Sequence, residues 1–364
     1  MRIRTQLREI ASFAKGSQIN GDDLIKNGEY DYLNGGITPS GKWNAYNTLG
    51  RTVTISEGGN SCGYVNYMRK PFWCGAHCYY LFNTINNTEY LYYMLKSQQD
   101  RLMKLRSGAC MPNIKKADLG SFELEYEADT DKQQHVVSIL ESIEGIITAR
   151  KQQLSALDDL IKARFVEMFG DGLEHKRLEE YTTLITKGAS PKWQGIEYCD
   201  EGTLFVTSEN VREGFVDLSK RKYLPDDINK ILPRSVLRKN DILINIVGAS
   251  IGRAAVYESD ELANINQAVA LVRLIPNAIN KDFLLAFLNG EEAQKAYIAM
   301  KKGGARDNLS LKNIADLQIP VATVEQQNEF ATFVAQVDKS KSVIQKSLDE
   351  TQLLFDSLMQ KYFG

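Results

Sequence analysis

Apolar residues fall three and four apart over two stretches of the chain, residues 131–168 and 325–362. Neither stretch contains a proline, and together they contain one glycine, Gly145. A period near 3.6 sustained over that length predicts one long helix in each. The first apolar seam runs through Val136, Ile139, Ile143, Ile146, Leu154, Leu157, Ile161 and Phe165, and the second through Phe330, Phe333, Val337, Ile344, Leu348, Phe355 and Leu358. With a rise of 1.5 Å per residue, about 38 residues make a rod of roughly 57 Å. Neither rod has a matching length of globular sequence to lie on, so the two are expected to pair with each other. The pair is antiparallel if the globular parts are held at its opposite ends.

The remaining sequence has a different rhythm. Short strand-like runs such as Arg51–Ile55 and Ile242–Ile246 alternate with turns rich in Gly, Asn and Ser, the pattern of mixed α/β domains. The chain is thus read as a first globular domain over residues 1–127, a helical spacer over 128–172, a second globular domain over 173–324 and a second spacer over 325–364.

The two halves repeat each other. Lys361-Tyr362-Phe363-Gly364 echoes Glu167-Met168-Phe169-Gly170 at an offset of 194, which also pairs Leu160 with Leu354, Ile143 with Val337 and Gln133 with Gln327. Further back, the stretch Met111 to Leu119 faces Leu309 to Leu317, Gly108-Ala109 faces Gly304-Ala305, and Gly59, Ser61 and Gly63 face Gly248, Ser250 and Gly252. The offset falls to 171 where Leu7 meets Leu178, so the second copy gains about twenty residues early on, placed around Phe205 to Asp217. Two diverged heads on a rod suit the measurement of a distance between two unlike sites, and DNA half-sites are the natural case.

Composition narrows the possibilities. With 44 Lys plus Arg against 46 Asp plus Glu, the net charge of −2 gives no nucleic-acid signal, so any phosphate-binding surface must be local. No apolar run approaches the length of a membrane span, and Met1 to Lys15 lacks the apolar core of a secretory signal, which together predict a cytoplasmic protein without a membrane role. Five cysteines, Cys62, Cys74, Cys78, Cys110 and Cys199, do not form a paired disulfide framework. Cys74, His77 and Cys78 are spaced like part of a zinc site, but no second such cluster accompanies them, and the repeat sets them opposite Asn264, Gln267 and Ala268. They are read as part of a strand-like stretch.

Candidate DNA contacts were sought among loops that combine amides, hydroxyls, cations and aromatics. The first head offers Asn34, Thr38, Ser40, Lys42, Trp43 and Asn44, and the second offers Lys187, Ser190, Lys192, Trp193, Thr207, Ser208 and Asn210. The glycine strings Gly58–Gly63 and Gly248–Arg253 are read first as tight turns between strands, with backbone contact to DNA as the alternative. Neither ends in Gly-Lys-Ser or Gly-Lys-Thr, so neither is a nucleotide-hydrolysing loop. Arg253 and Arg306 are assigned to phosphate.

On these features the whole chain resembles the specificity subunit of Type I restriction-modification enzymes. The stretch Leu309–Pro320, the following Glu325-Gln326-Gln327 and the ending Leu358–Gly364 carry the resemblance most closely. Their first-copy counterparts are looser, with Pro112 set against Ser310 and Phe122 near Pro320. The resemblance implies two target-recognition domains separated by two long helices that pair as an antiparallel coiled coil, a pseudo-twofold repeat in which each head reads half of a bipartite double-stranded DNA target. It further implies docking of two methyltransferase subunits and, through them, endonuclease and translocase subunits. S-adenosylmethionine, ATP and Mg would then be bound by the partners, with no cofactor or catalysis in this chain. The sequence agrees: it has no Asn-Pro-Pro-aromatic motif for a flipped adenine, no Gly-x-Gly after a strand for a methyl donor and no nuclease-like acidic spacing after Pro225-Asp226. The alternative from another class is a coiled-coil adaptor whose two heads bind protein.

Overall fold

A computed structural model of the chain describes residues 2–85, 87–108, 112–170, 172–300 and 308–364. The described chain divides into two compact units, Met1–Lys151 with Lys346–Gly364, and Gln152–Gln345. The two long helices are Thr130–Phe169 and Val324–Phe363, within one or two residues of the predicted bounds. Each unit therefore takes the beginning of one long helix and the end of the other.

In the first unit an antiparallel four-stranded sheet runs in the order Ser12–Lys15, Cys78–Phe82, Thr52–Ser56, Val65–Met68. Beside it, Tyr30–Leu33 pairs antiparallel with Gly41–Trp43 and parallel with Phe72–Cys74. The second unit repeats this plan. Its larger sheet runs Thr182–Lys187, Val269–Leu274, Ile242–Asn245, Ala254–Val256, Gly214–Phe215, and its smaller one runs Tyr223–Leu224, Thr203–Val206, Ala263–Ile265. Continuous apolar runs such as Ile242–Ile244 are buried because helices and the smaller sheet cover the larger sheet.

Strand equivalences locate the extra residues of the second copy. Tyr30 answers to Thr203 (offset 173), Lys42 to Tyr223 (181) and Val53 to Ile242 (189). Roughly half of the growth lies in the connection after Val206, as the sequence placed it; the other half lies between Leu224 and Ile242, around the short helix Ile228–Ile231.

Main-chain bonds also correct two pairings. Leu7 N donates to Phe122 O (3.0 Å) and Leu178 N to Leu317 O (2.9 Å), so Phe122 answers to Leu317 rather than to Pro320, and Leu119 to Ile314. Sequence likeness favoured Asp118-Leu119 against Asp316-Leu317, whereas the main-chain bonds set Leu119 against Ile314, both fully buried. Likewise Leu33 pairs with Cys74 as Val206 pairs with Ile265. Cys74, His77 and Cys78 therefore stand opposite Ile265, Ala268 and Val269, one position beyond the residues the sequence comparison chose.

The long helices pack both on the heads and on each other. Val136, Val137 and Leu140 join the core of the first unit with Leu91 and Leu95, and Phe165 and Phe169 join that of the second with Phe283, Phe287 and Phe330. In the second unit, Arg164 meets Glu329 (3.0 Å) and Lys341 meets Asp158 (2.5 Å). One helix descends from 164 to 158 as the other rises from 329 to 341, so the pair is antiparallel. The second seam lies as predicted, with Phe330, Val337 and Leu348 buried. The first lies as predicted at Val136, Ile143 and Phe165, which are buried, but not at Ile146, which is 44% exposed while Leu140 and Ile147 are buried, because the head also covers Val137 and Leu140.

The two helical ends repeat an aromatic lock. Phe169 meets Phe283 edge-on at 4.8 Å, and Phe363 meets Tyr90 at 5.2 Å. Each buried ring contributes about 1.5–3 kcal/mol, which accounts for the recurring Phe-Gly endings in the sequence.

A second repeated element sits where each long helix begins. Gln133 is fully buried; its Oε1 accepts from Asn87 N (3.2 Å) and its Nε2 donates to Glu127 O (2.5 Å). Gln327 makes the same pair of bonds, accepting from Asn280 N (2.8 Å) and donating to Ala322 O (2.9 Å). Asn87 and Asn280 are themselves the N-caps of the helices Thr88–Ser97 and Lys281–Asn289. Removing either glutamine side chain strands buried main-chain groups, each worth about 1–3 kcal/mol. Gln133→Ala and Gln327→Ala should each lower the urea-unfolding free energy of the full chain by that amount; losses below about 0.5 kcal/mol would deny the clamp its role.

Candidate nucleic-acid interface

Both sheets of each unit send their loops to one end. In the first unit these are residues 16–18, 34–40, 57–64 and 75–77, and in the second 188–190, 207–210, 246–253 and 266–268. Main-chain bonds hold them together: Ser17 N to Cys74 O (3.0 Å) and Gly75 N to Leu33 O (2.9 Å) in one, Asn266 N to Val206 O (3.1 Å) and Ile246 N to Ala268 O (2.9 Å) in the other.

The glycine strings are tight turns, and they are the same turn. Gly59 and Gly248 have φ of 74° and 79°, and Gly63 and Gly252 have 86° and 87°, values that side-chain-bearing residues rarely adopt. A Cβ on Gly63 would lie 2.8 Å from the Met103 backbone, and one on Gly252 would lie 2.6 Å from the Tyr297 ring, so both turns also press against a helix. Ser56 Oγ ties the first turn to Gly35 O, joined there by Ser61 Oγ (2.6 Å). In the second unit Asn245 takes that part, its Nδ2 reaching Ser208 O (3.0 Å) and Ser250 Oγ (3.1 Å).

The predicted contact residues separate on this frame. Asn34, Thr38 and Ser40 lie in the first loop cluster; Thr38 and Ser40 are exposed, and Asn34 Oδ1 accepts from His77 N (3.2 Å). Lys42, Trp43 and Asn44 run away from the cluster along and beyond the edge strand Gly41–Trp43, with Lys42 paired to Asp31 (3.2 Å) and Trp43 edge-on to Trp73. In the second unit Lys187, Ser190, Lys192 and Trp193 form a rim, and Trp193 is 84% exposed. Ser208 is half-buried in the loop beside it. Thr207 and Asn210 are buried: Asn210 Oδ1 accepts from Thr207 N and Oγ1, and its Nδ2 donates to Asp217 O and Lys220 O. That fills the four hydrogen-bonding positions of the amide and leaves none for a base. Arg253 is exposed at the end of its glycine turn, and Arg306 lies outside the described residues.

Charge is distributed unequally. Lys15 pairs with Tyr79 across its strands as Lys187 pairs with Ala270, so the two lysines are equivalent. Lys15 is ion-paired to Glu57, whereas Ile246 occupies the corresponding place in the second unit. Among the described residues no hydrogen bond or ion pair engages the side chains of Lys187, Lys192 or Arg253. Sequence reading missed Glu57 and its neighbours, since Lys15, Glu57 and His77 meet only through strand ends far apart in the chain. The signal available was the single lysine preserved at both strand ends.

The cysteine pair belongs to the frame beneath these loops. Cys74 and Cys78 are buried with Leu33 and Phe72, and hydrogen bonding to Cys78 followed by burial pushes the Cys74 thiol up. Among the described residues no group of three or more His, Cys, Asp or Glu side chains is placed to hold a metal, and no helix is long and apolar enough to cross a membrane.

Comparison with known proteins agrees with this geometry. The family described as Type I restriction modification DNA specificity domain matches twice, at residues 4–157 and 172–351. The MjaVIII Type I restriction enzyme specificity subunit of Methanocaldococcus jannaschii is 22% identical over 289 residues, covering 74% of this chain and 68% of its own. The EcoBI specificity subunit of Escherichia coli is 31% identical over 167 residues, 45% of this chain and 35% of its own. In fold, the chain is similar to the crystal structure of a Type I restriction-modification S subunit from M. genitalium, with a TM-score of 0.61 at 20% identity over 100% of this chain and 96% of that one.

The hydrogen-bond inventory separates frame from rim. Asn210→Ala should lower stability by about 2–3 kcal/mol in thermal unfolding, while Arg253→Ala stays within about 0.5 kcal/mol; equal losses would contradict the division.

Proposed function

The chain belongs to the Type I restriction-modification DNA specificity family, and on that premise we propose that each unit reads one half of a bipartite target through its loop cluster. The observation that carries this reading is the repeated frame with different side chains: one glycine turn, one strand order and one helix clamp, presenting dissimilar loops in the two units. A common frame fixes the approach to the duplex, and the loops supply what differs between half-sites.

In the second unit Lys187, Lys192 and Arg253 are free cations on the rim, suited to phosphates, with Ser190, Ser208 and Trp193 beside them. In the first, Thr38 and Ser40 offer hydroxyls, and Lys15 beside the turn is already paired with Glu57. The chain is non-catalytic in this proposal. Methyltransferase subunits dock on the paired helices, bind S-adenosylmethionine and methylate one adenine in each half-site, and endonuclease and translocase subunits with ATP and Mg join through them. Because the chain carries a net charge of −2, the partners supply much of the phosphate neutralisation, and the isolated chain binds DNA weakly.

Methylation mapping tests the proposal in a host expressing the chain with its methyltransferase, once native and once with residues 187–193 replaced. Adenine methylation at a split motif, changed by the replacement in one half alone, is the expected result. An active methyltransferase pair that shows no sequence preference would favour the adaptor reading.

A further inference from the structure

We propose that His77 determines the identity of one base pair in the half-site read by the first unit, held in place by Glu57 and Lys15. The inference rests on the functional reading above and names a residue that the sequence search set aside.

Three strand ends converge on this ring. His77 closes the turn between Phe72–Cys74 and Cys78–Phe82, Glu57 follows Thr52–Ser56, and Lys15 ends Ser12–Lys15. The His77 backbone is fixed on both sides: its N–H donates to Asn34 Oδ1 (3.2 Å), and its carbonyl accepts from Glu57 N (2.9 Å). The side chain is nevertheless 60% exposed. Nδ1 lies 3.6 Å from Glu57 Oε2, while the other carboxylate oxygen is ion-paired to Lys15. The Glu57 side chain is only 13% exposed, so it serves as a fixed support from which the ring projects.

Nε2, facing away from Glu57, has no partner among the described residues. An imidazole nitrogen can donate or accept, so it can engage a base edge in the major groove. The ring is thus anchored through its main chain and oriented at one nitrogen, with the other left for a ligand. The second unit has no such device. Ala268 replaces His77, Ile246 replaces Glu57, and the equivalent lysine, Lys187, is released to the rim. The same frame therefore gives a discriminating side chain in one head and a free cation in the other.

Methylation mapping with the full chain and its methyltransferase partner separates this proposal from the general one. His77→Ala should relax one base pair of one half-site, with about tenfold less discrimination there, and leave every other position unchanged. Glu57→Gln keeps the main-chain bond to His77 while weakening the hold on the ring, and should relax the same base pair to a smaller extent. A native split motif that His77→Ala leaves unchanged, or methylates uniformly less, overturns the assignment to base reading; so does relaxation at different base pairs in the two variants. A native chain that directs no split motif overturns the functional reading, and this proposal with it.

Discussion

A buried glutamine at the start of each long helix is the constraint on which the arrangement within each unit depends. Its amide carries two main-chain partners away from water, one at the N-cap of a head helix and one in the segment leading into the long helix itself. An apolar contact could slide or rotate. A satisfied amide cannot do so without stranding buried polar groups, and the cost of that is comparable to a large share of a domain's net stability. The aromatic lock of Phe169 and Phe363 then fixes the arriving end of the other helix on the same head. Packing supplies most of the energy, and the amide supplies the register.

From that register the loop clusters follow. The head helices press on the glycine turns, the turns hold Ser61 and Ser250, and these serines help tie the neighbouring loops through Gly35 and Asn245. The two units keep this chain of contacts while changing the residues that face outward. The contrast between Lys15, neutralised by Glu57, and Lys187, left free, shows how one lysine position serves two ends. At one strand end Glu57 faces the paired Lys15, where Ile246 stands beside the unpaired Lys187.

Much of this was legible in the sequence. The periodicity gave both long helices to within two residues, because forty residues without proline leave little else for the chain to do. The glycine repeat gave the turns, since positive φ demands the residue whatever the surrounding loop. The Gln133 and Gln327 match was visible too, although nothing in the sequence said that both amides are buried. What failed was anything decided by packing across distant segments. The exposed face of Ile146 depends on which side the head covers, and the pairing of Leu119 with Ile314 is set by main-chain bonds between distant segments rather than by likeness. Thr207 and Asn210 read as DNA-facing polar residues until their partners are counted. Lys15, Glu57 and His77 have no common pattern along the chain at all.

The central claim is that two similar frames engage two separate tracts of one duplex. Hydroxyl-radical footprinting of the methyltransferase-loaded chain on its methylation target tests this most directly, using DNA that contains the whole split motif. The account predicts two protected tracts, each covering one specified half-site, with substitution of the Lys187–Trp193 loop weakening only one of them. A single tract lost as a unit with that substitution would contradict it.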